Sequence, residues 1–371
     1  MQRGWMPALA AATLAWGGAD EAVVTRRFLP PRPHDGNVGV LPVQPIDSAS
    51  WIWHPAFAGV PEPGRRDLTE AFRNRWAARH EYFDAGWRGP VFVRFRCDFE
   101  ADAQPLTIHV SADERFELFL DGRRITRGPD RSTVDFWSYK TYEIRLAPGA
   151  HRMEALCWSL GPLSPMAQLT WRGGFVLKAD GPYDAKLTTG KGPWRAAWLE
   201  GLRLDPPKVG AIFGVGGELT ARGAGPQWKE GAWTDVVVVR GPVRDQPYGI
   251  WKAGWRLHPS TLPDMLDRRV GPGRIVAVVR HTRPDEPFGE GGDPAEIAQW
   301  QAVVDGRGEV TVPTGEERTV LWDLGDYYCA HPYAEISGAD DARLEWAWAE
   351  SLYLPGGRAK GHRDEFRARS S

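Results

Sequence analysis

The sequence predicts an all-β protein built from two antiparallel β-sandwich domains with one or two short helices. Two observations predict this fold class. Apolar and polar residues alternate in many short segments, and turn-forming residues are frequent, with 42 Gly and 31 Pro among 371 residues. A high content of turn-forming residues, spread along the chain and not gathered in low-complexity runs, favours many short strands over long helices.

The strand pattern is densest in residues 49–205, which we predict to form the first sandwich. Val91 to Phe99 alternates apolar and polar residues, and the segments 106–112, 116–120, 142–146 and 153–157 repeat that pattern. Asp121-Gly122 is a strong hairpin signal, because both central residues of a type I′ turn need a positive φ. Further strands are expected near 167–172, 175–178 and 199–204. Turns about every 8–12 residues favour a jelly-roll, galactose-binding-like sandwich.

Residues 206–355 are predicted to form the second sandwich, beginning after Asp205-Pro206-Pro207. Its expected strands are 236–239, 275–279, 310–312, 320–322 and 343–348. Two helices are predicted. One begins at Asp67, with Glu70 in a capping-box arrangement, and runs toward Tyr82. The other begins at Asp293, an N-cap followed by Pro294.

The ends of the chain differ from its body. Residues 1–48 are a leader followed by a Pro-rich linker, and residues 356–371 lack a strand or helix pattern. The apolar segment from Trp5 to Trp16 resembles a signal peptide, but Pro7 interrupts it and the cleavage signal is poor. The alternatives therefore stay open: a secreted or periplasmic protein if the leader is a signal peptide, a cytoplasmic one otherwise. No stretch is long and apolar enough to predict a membrane span.

Charge and cysteine content exclude several classes of function. The chain has 46 Lys and Arg against 48 Asp and Glu, a balance that argues against nucleic-acid binding. Its three cysteines form no zinc-ligand spacing, and Cys97 and Cys157 fall on the apolar side of predicted strands, which predicts buried thiols. No nucleophile elbow, zinc-protease or phosphate-loop motif is present. We therefore predict no catalytic residue, metal site or cofactor.

Tryptophan is the outstanding residue type, with 19 copies, many in close pairs such as Trp51/Trp53 and Trp346/Trp348. An indole stacks well on the C–H face of a sugar ring and also packs well in a core. Residues two apart on a strand point to one face, so each pair is expected to share an environment. Core packing is the favoured interpretation for any single tryptophan.

Several motifs, in order along the chain, resemble the amino-terminal region of bacterial α-L-rhamnosidases. The first is Ser111–Phe116, Asp121-Gly122 and Arg127-Gly128-Pro129, followed by Trp137–Tyr139 and by Leu146–His151. Trp255–Pro263 resembles a linker strand of that family. The last motifs are Asp323-Leu324-Gly325, Ile336-Ser337-Gly338, Ala349–Tyr353 and Lys360–Glu365. The resemblance covers about residues 51–365.

The resemblance implies a non-catalytic role for this chain. In that family an (α/α)₆ barrel follows the last motif and hydrolyses terminal α-L-rhamnosyl bonds with inversion. We expect the chain to be the amino-terminal part of such a glycoside hydrolase, truncated before the barrel, supporting or orienting a rhamnose-containing glycan and inactive alone. Expected partners are that glycan and the catalytic barrel of the same enzyme. The alternatives are a free-standing carbohydrate-binding β-sandwich protein and a protein-interaction module.

The resemblance also places a substrate-binding site in the first sandwich. Its expected members are Asp113, Arg127, Trp137 and Tyr139. Asp113 would accept hydrogen bonds from sugar hydroxyls, or would simply cap a turn before the Phe116 strand. Calcium is not supported, because it needs six to eight oxygen ligands and the sequence offers no acidic cluster there.

Overall fold

The protein divides into a main unit over Met6–Asp264 and a second unit that combines Arg3–Trp5 with Met265–Ser371. The structure is a computed structural model that describes residues 2–4, 22–30, 44–58, 91–131, 136–159, 173–200, 229–242, 255–266, 268–280, 291–326, 328, 330, 334–337 and 344. None of its described helices is long and apolar enough to cross a membrane. The predicted helix from Asp67, the strand near 167–172, the segment 356–371 and, apart from Leu344, the strand over 343–348 lie outside these residues.

The described protein is mostly β-structure, as predicted. Its two α-helices are α1 (Asp184–Leu187) and α2 (Pro294–Val304). The strands are β1 (Gln2–Gly4), β2 (Val23–Arg27), β3 (Trp51–Trp53), β4 (Val91–Ala101), β5 (Leu106–Asp113), β6 (Arg115–Leu120), β7 (Arg123–Gly128), β8 (Trp137–Arg145), β9 (Gly149–Ser159), β10 (Gly174–Ala179), β11 (Arg195–Glu200), β12 (Lys229–Glu230), β13 (Thr234–Asp235), β14 (Val237–Arg240), β15 (Leu257–Pro259), β16 (Arg274–Val279), β17 (Thr319–Asp323) and β18 (Ala334–Ile336).

Two seven-stranded sheets form the sandwich of the main unit. One has the order β14-β3-β10-β5-β8-β15, with β2 also on β8, and the other has the order β12-β11-β4-β9-β6-β7, with β13 on β11. Most pairs are antiparallel. The longest runs from Val91 opposite Ser159 to Ala101 opposite Gly149. β15 is an exception, because it lies parallel to β8 over three residues.

The core of the sandwich follows the predicted alternation. On β4, Val93, Phe95 and Cys97 point inward and are at most 1% exposed, and inward residues of β5, β6, β9 and β10 meet them in one cluster. Burying one such Val, Leu or Phe side chain stabilises a fold by about 1.5–3 kcal/mol. The predicted strands over 91–120 and 142–157 are therefore confirmed in phase as well as in position.

The predicted hairpin turn between β6 and β7 is also confirmed. Asp121 has φ 49° and Gly122 has φ 79°, the positive values that a type I′ turn needs. A bulge follows, because Leu118 pairs with Thr126 whereas Phe119 pairs with Arg124. Ile125 is thus left without a cross-strand partner.

Strands from the segment 206–355 complete the sheets of the main unit. β14 pairs with β3, and β15 pairs with β8. The sequence assigns these residues to the second domain, whereas their hydrogen bonds place them in the first sandwich. Local patterning identifies a strand but not its partner, so such an exchange is invisible in the sequence.

The second unit has little regular structure in its described part. β16 and β17 form an antiparallel pair, and β1 and β18 form a second two-stranded sheet. Helix α2 begins as predicted: Asp293 is its N-cap and accepts a hydrogen bond from the Ala295 amide, with Pro294 at the first position. The predicted strand at Val310–Val312 is wrong. This segment lies between Gly308 and Pro313, and Pro313 has no amide to extend a ladder.

The two described cysteines give a test of the core. Burial, with a smaller effect of Asp98, raises the pKa of the Cys97 thiol to about 12, and burial also raises the pKa of Cys157. In a Cys329→Ser variant we expect neither thiol to react with a disulfide reagent at pH 8 until denaturant is added, since thiolates are the reactive form. Absorbance at 412 nm measures this, and rapid labelling of the folded protein would contradict the described core.

Asp184, at the start of α1, gives a test by acid. Burial alone would raise its pKa, but hydrogen bonds from Lys191, Thr188 and Lys178 outweigh that effect and lower it from 3.8 to about 2. The stabilisation is therefore present above pH 3.8 and is lost as the pH falls through 2. Asp184→Asn should have a lower free energy of unfolding than the native protein at pH 6. This difference should disappear between pH 4 and pH 2.

Urea unfolding across pH 2–7 measures the gap. Asp235→Asn is the control, because the Asp235 side chain is 91% exposed. A gap for Asp184→Asn that persists at pH 2 would contradict the assigned contacts.

Candidate functional site

Motif residues that are far apart in the sequence meet in one buried cluster of the main unit. The fully buried Trp255 donates from Nε1 to Asp113 Oδ2 at 2.8 Å. Its ring stacks on Trp51, with 3.9 Å between ring centroids and 17° between planes. Ile46, Trp137, Tyr139, Val176 and Leu257 belong to the same cluster. β15 and β8 therefore join the linker-strand motif to the aromatic motif at Trp137–Tyr139.

Three of the four predicted sugar-binding residues lie inside the fold. Asp113 and Tyr139 are fully buried, and Trp137 is 1% exposed. Trp137 Nε1 donates to the Ala112 carbonyl at 3.1 Å, and the Tyr139 hydroxyl donates to Gln44 Oε1 at 2.7 Å. Arg127 is partly exposed on β7. Contact of these residues with a sugar stays a prediction, and their described polar contacts hold the sandwich together.

Trp51 and Trp53 do not share one environment, contrary to the expectation for residues two apart on a strand. Trp51 belongs to the cluster around Trp255, whereas Trp53 packs in the sandwich core with Phe95 at 5.8 Å. The neighbouring β14 shifts register between Val238 and Arg240, opposite this pair. The regular pairing next to β3 is therefore interrupted between Ile52 and Trp51.

A buried ammonium group organises the polar groups beside this cluster. Lys140, on β8, is 3% exposed and donates to the Arg127 carbonyl at 3.0 Å and to Asp264 Oδ1 at 2.8 Å. Asp130 Oδ1 lies 3.6 Å away. A buried charge is tolerated only when it is paired and hydrogen-bonded. Lys140 therefore fixes the positions of the β7 end and of the segment after β15.

Tyr142 and Arg26 complete this polar cluster. The Tyr142 hydroxyl lies 2.8 Å from both Asp264 oxygens and 2.6 Å from Thr126 Oγ1. Burial raises the pKa of Tyr142, so its hydroxyl is a neutral donor at physiological pH. The Arg26 guanidinium stands 5.2 Å over the Tyr142 ring, and its Nε is 3.8 Å from Asp264 Oδ1.

A cavity of about 180 Å³ opens next to these groups. Half of its lining is apolar and half is polar: Ala22, Val24, Leu120 and Ile125, with Arg123, Arg124, Tyr142 and Asp264. Pockets for drug-sized ligands span about 300–1,000 Å³, so this cavity suits a smaller unit. The Asp264 side chain is 37% exposed, which leaves its carboxylate accessible from solvent.

The β7 bulge explains how this lining is built. Successive side chains of a regular strand point to opposite faces, yet Arg123, Arg124 and Ile125 all line the cavity. The register shift between β6 and β7 falls at these residues. Bulges re-aim side chains in this manner and are frequent at functional sites.

The sequence carries one signal for this site. Lys140 and Tyr142 share the inward side of β8 with Ile144, and a lysine at an inward position needs a carboxylate partner. The pattern does not say that the partner is Asp264, which lies 124 residues later. Among the described residues, no group of three or more His, Cys, Asp or Glu side chains is arranged to hold a metal ion.

Comparison with known proteins gives no family model and no curated protein that matches this chain. Among solved structures, it is similar to the GH78 family rhamnosidase of Bacillus sp. GL1, with 24% identity, a TM-score of 0.42 and coverage of 64% of this chain and 22% of that one. The apo Pleurotus ostreatus lectin shows 13% identity, a TM-score of 0.29 and coverage of 57% and 48%.

The α-L-rhamnosidase from Dictyoglumus thermophilum shows 12% identity, a TM-score of 0.31 and coverage of 50% of this chain and 21% of that chain. This chain thus spans about a fifth of the length of either rhamnosidase.

The bond between Trp255 and Asp113 gives a test of the buried cluster. Trp255→Phe keeps an aromatic ring but removes the Nε1 donor from a fully buried carboxylate. Losing a hydrogen bond to a buried polar group costs about 1–3 kcal/mol, so we expect the free energy of unfolding in urea to fall by about 2 kcal/mol. Trp158→Phe, at a half-buried position on β9, is the control. Equal stability of Trp255→Phe and the native protein would contradict the described bond.

Proposed function

We propose that this chain is the non-catalytic amino-terminal part of an α-L-rhamnosidase, in which the sandwich supports and orients a rhamnose-containing glycan. The observation that carries the proposal is that motifs from separate parts of the sequence are in contact in the folded protein. Trp255 bonds Asp113, and Leu257 to Pro259 pair residue by residue with Trp137 to Tyr139. Residues matched by resemblance in separate segments thus depend on one another for their packing.

In this proposal hydrolysis belongs to a barrel and not to the sandwich. Inverting hydrolysis needs two carboxyl groups about 6.5–9.5 Å apart with a water molecule between them. Asp113 and its neighbour Glu114 are both fully shielded from solvent, and Asp113 accepts a hydrogen bond from Trp255. The bond from Trp255 ties the segment before β15 to the end of β5, so this carboxylate has a packing role.

A free-standing carbohydrate-binding protein is the second candidate. The cavity beside Tyr142 and Asp264 favours it, because its lining combines apolar side chains with hydrogen-bonding groups, as sugar recognition requires. Both candidates bind a glycan. In the first candidate the bound glycan is hydrolysed by a catalytic barrel of the same enzyme. In the second candidate, glycan binding is itself the function.

The test combines a hydrolysis assay with a binding titration of the purified chain. We expect no release of nitrophenol from 4-nitrophenyl α-L-rhamnoside above a heat-denatured control. We also expect saturable binding of a rhamnose-bearing oligosaccharide by isothermal titration calorimetry. Hydrolysis above the control would overturn the non-catalytic assignment, and a flat titration up to millimolar oligosaccharide would overturn both carbohydrate-binding candidates.

A further inference from the structure

The turn between β6 and β7 positions one wall of the cavity. Asp121 and Gly122 form this turn, with φ values of 49° and 79°. The residues on either side of it, Leu120 and Arg123–Ile125, supply four of the eight described side chains that line the cavity. The position of the turn therefore decides where this wall of the cavity lies.

The imidazole ring of His151, on β9, connects this turn to the turn between β8 and β9. Its Nδ1 lies 2.7 Å from Asp121 Oδ2, and its Nε2 lies 2.8 Å from the Ala147 carbonyl oxygen. Asp121 Oδ1 also accepts a hydrogen bond from the Arg152 amide at 2.8 Å, and the Asp121 amide donates to the Arg152 carbonyl at 2.9 Å. His151 and Arg152 together thus hold Asp121 against the start of β9.

These contacts select the charged form of His151. A neutral imidazole has one N–H donor and one acceptor, whereas the protonated ring has two donors. A carboxylate and a carbonyl are both acceptors, so only the protonated ring donates to Asp121 and Ala147 at once. His54 shows the opposite case, because its Nδ1 accepts a hydrogen bond from the Ala56 amide at 3.2 Å, and burial lowers its pKa.

The groups that surround His151 favour the same charge state. On β4, Glu100 adds negative charge, and the uncharged ring of Phe99 lies 5.8 Å from the imidazole ring. The guanidinium of Arg152, the next residue on β9, is paired with Asp98, with 2.6 Å between Nε and Oδ1. Burial alone would lower the pKa of His151, but its two hydrogen bonds and the nearby carboxylates outweigh burial and raise the pKa above 6.5.

From this geometry we infer that His151 is a proton-dependent clamp that regulates ligand binding at the cavity. In its protonated form it bonds both Asp121 and Ala147 and fixes the wall that contains Leu120 and Ile125. In its neutral form it loses one of the two bonds, and the turn is held less firmly. The inference rests on the proposed carbohydrate-binding function and adds the regulation of that function by pH.

Nuclear magnetic resonance of histidine-labelled protein tests the charge state. The stabilisation by the clamp is present below pH 6.5 and is lost as the pH rises through the higher pKa of the folded protein. We expect His151 to titrate above pH 6.5 in the native chain and at a lower pH in Asp121→Asn. Asn suits a type I′ turn and keeps an oxygen for the Arg152 amide, so this variant removes the charge and keeps the turn. Titration of native His151 at or below pH 6.5 would overturn the inference.

Calorimetry with the rhamnose-bearing oligosaccharide tests the regulation. We expect the affinity of the native chain to fall about tenfold between pH 5.5 and pH 9, since a hydrogen bond to a charged group contributes about this factor. His151→Phe keeps a ring without donors and should bind equally weakly at both pH values. His54→Asn is the matched control, because His54 contacts Ala56 and Phe57 and does not line the cavity. It should keep the native pH dependence. Thermal unfolding confirms that each variant is folded.

Two outcomes would overturn the inference and leave the proposed function standing: an affinity that is constant between pH 5.5 and pH 9, or one that changes in His151→Phe as it does in the native chain. If the oligosaccharide binds at neither pH, the proposed function fails, and amide hydrogen exchange at pH 5.5 decides whether the clamp exists. The Asp121 and Arg152 amides should exchange about tenfold faster in His151→Phe than in the native chain, while the amides of β10 keep their rates. Equal exchange of the Asp121 and Arg152 amides in the two proteins would overturn the clamp as well.

Discussion

The buried ammonium group of Lys140 is the constraint on which the polar edge of the sandwich depends. Removing a charge from water costs several kcal/mol unless carboxylates and carbonyls replace the solvent. Asp264, Asp130 and the Arg127 carbonyl do so here. Because these partners come from three segments, one charge fixes the end of β7, the loop after it and the segment after β15. Of these partners, Asp264 also lines the cavity, together with Tyr142 of β8 and the beginning of β7.

The large number of tryptophans suggests sugar-stacking surfaces, but the described tryptophans of the motif cluster pack inside the protein. Trp51, Trp137 and Trp255 are at most 1% exposed, and the last two use their indole N–H groups inside the protein. Gly174 allows this packing, since a Cβ at that position would lie 2.9 Å from Trp51 and 3.4 Å from Trp255. An abundance of tryptophan therefore indicates a filled sheet surface in this region, and the candidate ligand site lies in a cavity lined by other residues.

Local features of this fold could be predicted from the sequence, and long-range ones could not. The phase of β4, the type I′ turn at Asp121-Gly122 and the N-cap at Asp293 each depend on neighbouring residues, and all three are confirmed. The membership of β14 and β15 in the first sandwich depends on pairing across long loops, which local patterning does not encode.

The candidate site illustrates the same limit. Asp264 is an ordinary acidic residue in a Pro-containing segment, and only the position of β15 brings it to Lys140. The bulge at Ile125 is likewise a property of two strands together, because it is defined by the register of β7 against β6. Resemblance identifies Asp113, Trp137 and Tyr139 as members of a motif, and it does not distinguish ligand contacts from packing contacts.

The edge of β8 has a consequence for how the protein is made. Its outer side pairs with β2 from near the start of the chain and with β15 from more than a hundred residues downstream. During synthesis β8 leaves the ribosome long before β15. In that interval the part of β8 that pairs with β15, Trp137–Tyr139, has no partner strand on this side. Exposed strand edges are templates for pairing with other chains, and contacts of such sequence separation form slowly. The part of this edge that β15 covers is therefore completed only after residue 259 has emerged.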